Sequence, residues 1–204
     1  FEKEAKRIIR EVEKECGWMY ETIHSDGRKG KINYIVWSDV FVCPECANEI
    51  VFWHEAVDIN GGKVLDEFSC SHCKAALNKR SLDRAWSTIY DESLNDSIRQ
   101  AKQVPVLINY SVGTTRCQKE PDQSDLIKIE KILKMPLAKW HPTDRMIEGR
   151  ETRRNDPNGI THVHHFYYKS TLASLATYRS KASSSIYWNI LSAVAFRIKR
   201  VLIN

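Results

Sequence analysis

The sequence predicts an α+β fold: a small, β-rich zinc ribbon flanked by helices, with a helical C-terminal segment. Three observations predict it. Two C-x2-C pairs, Cys43-Pro44-Glu45-Cys46 and Cys70-Ser71-His72-Cys73, bracket a stretch dense in β-formers and turn residues. Apolar residues recur at helical spacing near the N-terminus and again from Tyr168 onward. Between these regions, alternating apolar runs mark strands. The 204 residues suffice for one moderate domain or two small ones. With 42% hydrophobic and 28% charged residues the composition is that of an ordinary globular chain, and it lacks an uninterrupted apolar span of membrane length.

Taken in order, residues 1–30 give an N-terminal helix and a short strand. The helix is expected over 2–15, with Ile8, Ile9 and Val12 on one stripe and Gly17 ending it. Trp18, Tyr20 and Ile23 then alternate as in a strand, and the run from Asp26 to Gly30 is turn chemistry. Residues 31–80 form the expected ribbon. Ile32, Tyr34, Val36, Val40 and Val42 lead into the first cysteine pair. Residues 49–57 are β-rich, 58–63 are a hairpin turn, and 64–69 return to the second pair. Residues 81–138 read as a mixed segment. An extended or helical stretch holds Trp86 and Tyr90, a polar run from 91 to 103 has no clear period, and 105–112 is a strand. Residues 116–124 read as a loop, and Ser124 or Asp125 caps a helix of about ten residues that ends before Met135-Pro136. Residues 139–204 combine a basic loop with C-terminal helices. A mobile, polar loop is expected over 148–159. Leu172, Leu175 and Tyr178 mark one helix, and Ile186, Ile190, Leu191, Val194 and Ile198 a second or a continuation.

The cysteine spacing carries the most specific chemistry. Zinc accepts four thiolates in a tetrahedron at about 2.3 Å, and a C-x2-C turn lets two sulfurs converge without strain. Cys43, Cys46, Cys70 and Cys73 are therefore the candidate ligands of one structural zinc ion. Four protein sulfurs close the shell to water, so the metal holds structure and does not catalyse. The ribbon is too small to bury a large apolar core, and structural zinc contributes an apparent ~10–16 kcal/mol in small metal-folded peptides. His54 and His72 are read as non-ligands, and Cys16 and Cys117 as free thiols. A disulfide reading requires an oxidising compartment, yet no secretory signal is visible; the cysteine usage fits a reducing cytoplasm.

Charge is uneven. Residues 139–204 hold 11 Lys/Arg against 4 Asp/Glu, an excess of +7, whereas the remainder holds 20 against 22, a net −2. Such an excess suits either a nucleic-acid contact surface or a solvated helical face. His162, His164 and His165 invite a metal reading. On a strand, His162 and His164 would share a face, but no carboxylate is visibly paired with them, and a structural role is preferred. These imidazoles could instead face phosphate or a partner strand. Neither a glycine-rich phosphate loop nor a Ser/His/Asp arrangement stands out.

Several stretches in order carry a resemblance: residues 15–22 (ECGWMYET), 30–34 (GKINY), 37–41 (WSDVF), the two cysteine pairs, 99–106 (RQAKQVPV) and 159–167 (GITHVHHFY). Together they resemble bacterial site-specific DNA methyltransferases of the amino-group type (N6-adenine or N4-cytosine) that carry an inserted zinc ribbon. The resemblance implies a glycine-rich S-adenosylmethionine motif and an Asp-Pro-Pro-aromatic catalytic motif. Neither occurs here. Asn155-Asp156-Pro157-Asn158-Gly159 lacks the second proline and the aromatic, and reads as a turn. The chain, which opens on Phe1, is thus expected to be an excerpt whose parent enzyme binds S-adenosylmethionine and transfers methyl groups, and which is inactive alone. The family's catalytic residues map to no position, whereas the four cysteines do. DNA and the remainder of the methyltransferase chain are the implied partners. Arg150, Arg153, Arg154 and Lys169 are candidate phosphate contacts, since basic loops near helix starts suit the DNA backbone. Two other classes stay open: a structural or protein-interaction zinc module without nucleic-acid contact, and a metal hydrolase built on the histidines.

Overall fold

The computed structural model describes residues 2–59 and 61–182. Helix α1 (Glu2–Cys16) buries Ala5, Ile8 and Cys16 and leaves Ile9 half exposed, so its apolar stripe is narrow. A 3-10 turn, Gly17–Tyr20, leads into β1 (Glu21–Ile23), which pairs antiparallel with β2 (Lys29–Val42). Then come β3 (Glu49–Val51), the short helix α2 (Phe52–Ala56), β4 (Val57–Asp58) and β5 (Lys63–Val64). Strands β6 (Glu67–Ser69), β7 (Ala76–Asn78) and β8 (Asp83–Arg84) complete the cysteine-bearing region. The hairpin of β9 (Trp86–Asp91) and β10 (Asp96–Ala101) precedes β11 (Gln103–Val112) and β12 (Thr115–Lys119). Helices α3 (Gln123–Lys134), α4 (Arg150–Arg153) and α5 (Lys169–Lys181) follow.

Strand β2 organises the antiparallel main sheet, whose order is β1-β2-β11-β12. Its 14 residues serve two regions. Lys31 to Asp39 pair with β11, while Val40 to Val42 pair with β3, and Phe41 and Val42 also with β8. Strand β11 shifts register twice against β2, between Pro105 and Leu107 and between Asn109 and Tyr110. Pro105 has no N–H to donate, and it sits where β12, which pairs only with Ile108 to Val112, leaves that side of β11 uncovered.

Three apolar clusters hold these layers. Cys16, Met19 and Ile132 join α1, the 3-10 turn and α3, with Ala173 of α5 packed on them. Val36, Trp53 and Val106 join β2, α2 and β11. The third lies inside the cysteine-bearing region, where Phe41, Ile50, Phe52, Phe68, Leu77 and Leu82 surround Cys43 and Cys70. Phe52 meets Phe41 and Phe68 edge-on at 5.6 and 5.8 Å between centroids. The region thus buries an aromatic core of its own, more than its length suggests.

Several segments differ from the sequence expectation. The β-rich stretch 49–57 is not one strand: it coils into α2 after Val51. Phe52 and Trp53 are adjacent and both buried, which strand alternation would forbid and a helical turn allows. The uncapped start of α2 takes a partner from outside, with the Trp53 N–H donating to Ser38 Oγ on β2 at 2.9 Å. The polar run 91–103 contains β10, and the expected loop 116–124 begins inside β12. Helix α3 is capped by Asp122, two or three residues earlier than expected. Its carboxylate accepts from the amides of Ser124 and Asp125, and Asp125 returns the bond to the Asp122 amide. Residues 148–159 hold α4 and a 3-10 turn, Asp156–Asn158, closed by left-handed Gly159. The second C-terminal helical segment, from Ile186 onward, lies outside the described residues.

Candidate metal centre

Two matched turns build the site. Strand β2 delivers Cys43, whose N–H donates to Asn48 O at 2.9 Å, while the Ala47 N–H returns to Cys43 O at 2.9 Å. Between β6 and β7 the pattern repeats: Cys70 N–H donates to Ala75 O and Lys74 N–H to Cys70 O, both at 2.9 Å. The residue after each second cysteine is left-handed, with φ of 57° at Ala47 and 63° at Lys74. That conformation curls the chain so that the next amide faces sulfur. Asn48 and Ala75 supply these N–H···S bonds to Cys46 and Cys73.

The four sulfurs converge. Cys43 and Cys73 lie 3.7 Å apart and Cys46 and Cys70 3.9 Å, with the whole set within 4.8 Å. A tetrahedron with metal–sulfur bonds of ~2.3 Å has edges of ~3.8 Å. All four are free cysteines at separations far beyond a ~2.05 Å disulfide bond. Cys43 and Cys70 are fully buried, Cys46 is half-buried and Cys73 is exposed. The Asn48 amide pulls the Cys46 thiol down to about 6. At Cys73 the Ala75 amide pulls the same way but is outweighed by desolvation and the neighbouring sulfurs, which push that thiol up to about 12. Four crowded thiols resist ionising together, and a cation among them removes that resistance. The donor set and spacing are compatible with a metal site. No ligand atom of His54 or His72 joins it, and both side chains are exposed.

Two of the histidines named from the sequence belong to a second group, one member of which the sequence reading missed. His162 precedes a 3-10 turn, Val163–Phe166, and not a strand, and a carboxylate does meet the histidines: Asp91, at the end of β9. Asp91 Oδ2 lies 2.7 Å from His164 Nε2 and 3.0 Å from His165 Nε2. Its Oδ1 accepts from the amides of Ser93 and Leu94 in the β9–β10 turn. An ionised carboxylate only accepts, so both Nε2 atoms carry the proton. Burial pushes the Asp91 carboxyl up, but the two imidazole donors outweigh it and hold it down at about 2. Burial lowers His165 against the pull of Asp91.

These three residues are close enough to hold an ion. A ligating histidine, however, nearly always donates its other ring nitrogen to an acceptor. His165 Nδ1 instead faces two donors, the amides of Thr161 and His162 at 3.2 and 3.4 Å. His164 Nδ1 is buried without a hydrogen-bond partner among the described residues. The arrangement fits a clamp between the β9–β10 hairpin and residues 161–166. The signal was out of reach of spacing arguments, because Asp91 lies 73 residues before His164.

Of the four basic candidates, Arg150, Arg153 and Arg154 lie in or next to α4, and Lys169 lies in α5. Arg153 pairs with Asp156 at 2.7 Å, and Arg154 with Glu151 at 2.9 Å. Arg150 is exposed at the start of α4. Lys169 opens α5 and donates to Leu133 O at 2.9 Å. Among the described residues no helix is long and apolar enough to cross a membrane. No protein-family model, curated protein or solved structure matches this chain.

Proposed function

We propose that this chain is the zinc-ribbon part of a cytoplasmic DNA methyltransferase of the amino-group type, and that it helps to hold or recognise DNA while methyl transfer from S-adenosylmethionine occurs elsewhere in the parent enzyme. The observation that carries the reading is the pair of matched cysteine turns with four sulfurs at tetrahedral spacing. Zinc is the ion favoured by four thiolates in that geometry, and when bound it cross-links β2 and β3 to the β6–β7 hairpin. Cys43, Cys46, Cys70 and Cys73 would hold it, and with the shell closed they activate no water. The order of residues resembling the methyltransferase family, with the basic excess of 139–204, supports DNA as the partner.

The test is duplex binding as a function of salt. Contacts to phosphate release counterions, so affinity falls as salt rises. Arg150 and Arg154 are the better pair to reverse, because both are exposed, whereas Arg153 is half-buried against Asp156. In R150E/R154E we expect weaker duplex binding and a shallower salt slope. Binding that ignores salt, or is unchanged in the variant, refutes the DNA role.

One observation favours a second reading, in which the ribbon braces the parent enzyme and touches no nucleic acid. Strand β2 runs without interruption from the main sheet into the first cysteine turn. Under that reading the charge reversal leaves DNA binding by the parent enzyme unchanged, while zinc removal destabilises it.

A further inference from the structure

The β9–β10 turn makes a contact that neither the metal centre nor the Asp91 clamp uses. Ser93 Oγ lies 2.8 Å from His141 Nε2. Across that ring, His141 Nδ1 lies 3.1 Å from Lys139 O. A carbonyl oxygen only accepts, so Nδ1 carries the proton of the neutral imidazole. Its Nε2 therefore presents a lone pair, and the Ser93 hydroxyl donates to it. A hydroxyl within hydrogen-bond reach of a base, with the base oriented by a third group, is the arrangement that activates a serine as a nucleophile. Here the third group is a main-chain carbonyl in place of a carboxylate.

Both members are held in place yet stay reachable. The Ser93 N–H donates to Asp91 Oδ1 at 2.9 Å, and Asp91 is itself fixed by His164 and His165. His141 precedes Pro142, which biases its backbone toward extended conformations. The His164 ring meets the His141 ring edge-on at 5.9 Å between centroids. Ser93 and His141 are each half-buried, not sealed in the core. Sequence spacing hides the pair, since 48 residues separate its members.

The geometry points to Ser93 and His141 as a nucleophile–base pair that cleaves small acyl esters. As Ser93 Oγ bonds to the acyl carbon, its proton passes to His141 Nε2. The ester C–O bond then breaks, and the alcohol leaves with that proton. Water repeats the sequence: it gives a proton to Nε2 as its oxygen bonds to the acyl carbon, the bond to Ser93 Oγ breaks, and the proton returns to Oγ. The products are a carboxylic acid, an alcohol and the free serine. The pair lies at a hairpin turn, so a small ester reaches it without entering the core. General-base assistance of this kind is worth about 10²–10⁴-fold in rate. Duplex binding neither requires this chemistry nor is required by it, so each can fail alone.

The experiment is covalent labelling of the zinc-loaded chain with diisopropyl fluorophosphate, with the adduct located by peptide mass spectrometry. Attack by Ser93 Oγ forms a phosphate ester, fluoride leaves, and the hydroxyl proton passes to His141. We expect the label at Ser93. Ser97, exposed in the same hairpin, is the internal control and stays unlabelled. His141→Gln slows labelling by about 10²-fold or more, and Ser93→Ala removes it. p-Nitrophenyl acetate reads the ester reaction directly: the wild type becomes acetylated at Ser93 and releases p-nitrophenolate, and Ser93→Ala forms no acetyl-serine. Circular dichroism and zinc content verify that each variant is folded. Absence of an adduct at Ser93 in the wild type overturns the inference. So does labelling of Ser97 at the same rate, or Ser93 labelling that is undiminished in folded His141→Gln.

Discussion

Replacing Gly159 with alanine tests whether the Asp91 hairpin and the 155–166 segment are packed as described. Gly159 has φ +74°, and a Cβ placed there would lie 2.0 Å from Arg99 O and 2.8 Å from Gln100 Cα. Two costs add. A left-handed residue with a Cβ costs roughly 1–2 kcal/mol. The contact demands that β10 or the turn move by more than 1 Å, and such overpacking costs typically 1–3 kcal/mol. The sum is about 2–5 kcal/mol, which for a chain of this size lowers the melting temperature by roughly 4–20 °C. The displacement also strains the bond from Gln100 Nε2 to Gly159 O, 3.3 Å long. Gly113 provides the control: its φ is +60°, yet nothing lies within 4 Å of its Cβ position. Gly113→Ala should therefore cost only the backbone part. The assay is urea unfolding of both variants beside the wild type, with fluorescence and circular dichroism as independent probes. Equal losses in the two variants would refute the close-approach reasoning.

Three further outcomes are expected. Cys70→Ser should abolish stoichiometric zinc, measured by elemental analysis as one ion per wild-type chain, and should expose the β6–β7 amides to hydrogen exchange while those of β11 stay protected. Acid should destabilise the fold in two windows. His165, lowered in the folded state, favours folding while neutral; that contribution is lost as pH falls below the unfolded-state value near 6.5. Asp91, held at about 2 against an ordinary 3.8, contributes above pH 4 and is lost between about pH 4 and 2. Asp91→Asn should flatten the lower window and cost roughly 2–4 kcal/mol at neutral pH, as read from unfolding curves collected across pH. Asp122→Ala, which removes the cap of α3, should cost about 1 kcal/mol in the same unfolding assay, and Asp122→Asn much less.

The parts of the fold legible in the sequence were those encoded locally. The cysteine turns are written in two residues of spacing, and α1 and α3 in apolar periodicity with stop signals at Gly17 and Met135-Pro136. What escaped depended on distant partners. Helix α2 hides in a run of β-formers, because its start is satisfied by Ser38 on another element and its coiling by the need to bury Phe52 and Trp53 together. Strand β10 (Asp96–Ala101) is polar and lacks alternation, since among the described residues it pairs with β9 alone and none of its own residues is buried. The histidines gave a visible motif with an invisible partner: Asp91 carries no mark that distinguishes it from other turn-capping aspartates.

The continuity of β2 has a mechanical consequence. From Lys29 to Val42 it is a single rod of about 45 Å, with Gly30, its only glycine, at the far end. Ile35 and Trp37 of the main sheet and the sulfur of Cys43 therefore hang on one stiff element with no hinge between them. The cysteine-bearing region cannot swing on the sheet as a bead on a tether. A torque applied at the cysteine turns is delivered to the main sheet, and protease nicking within β2 would release no intact cysteine-bearing region, only two halves of a severed strand.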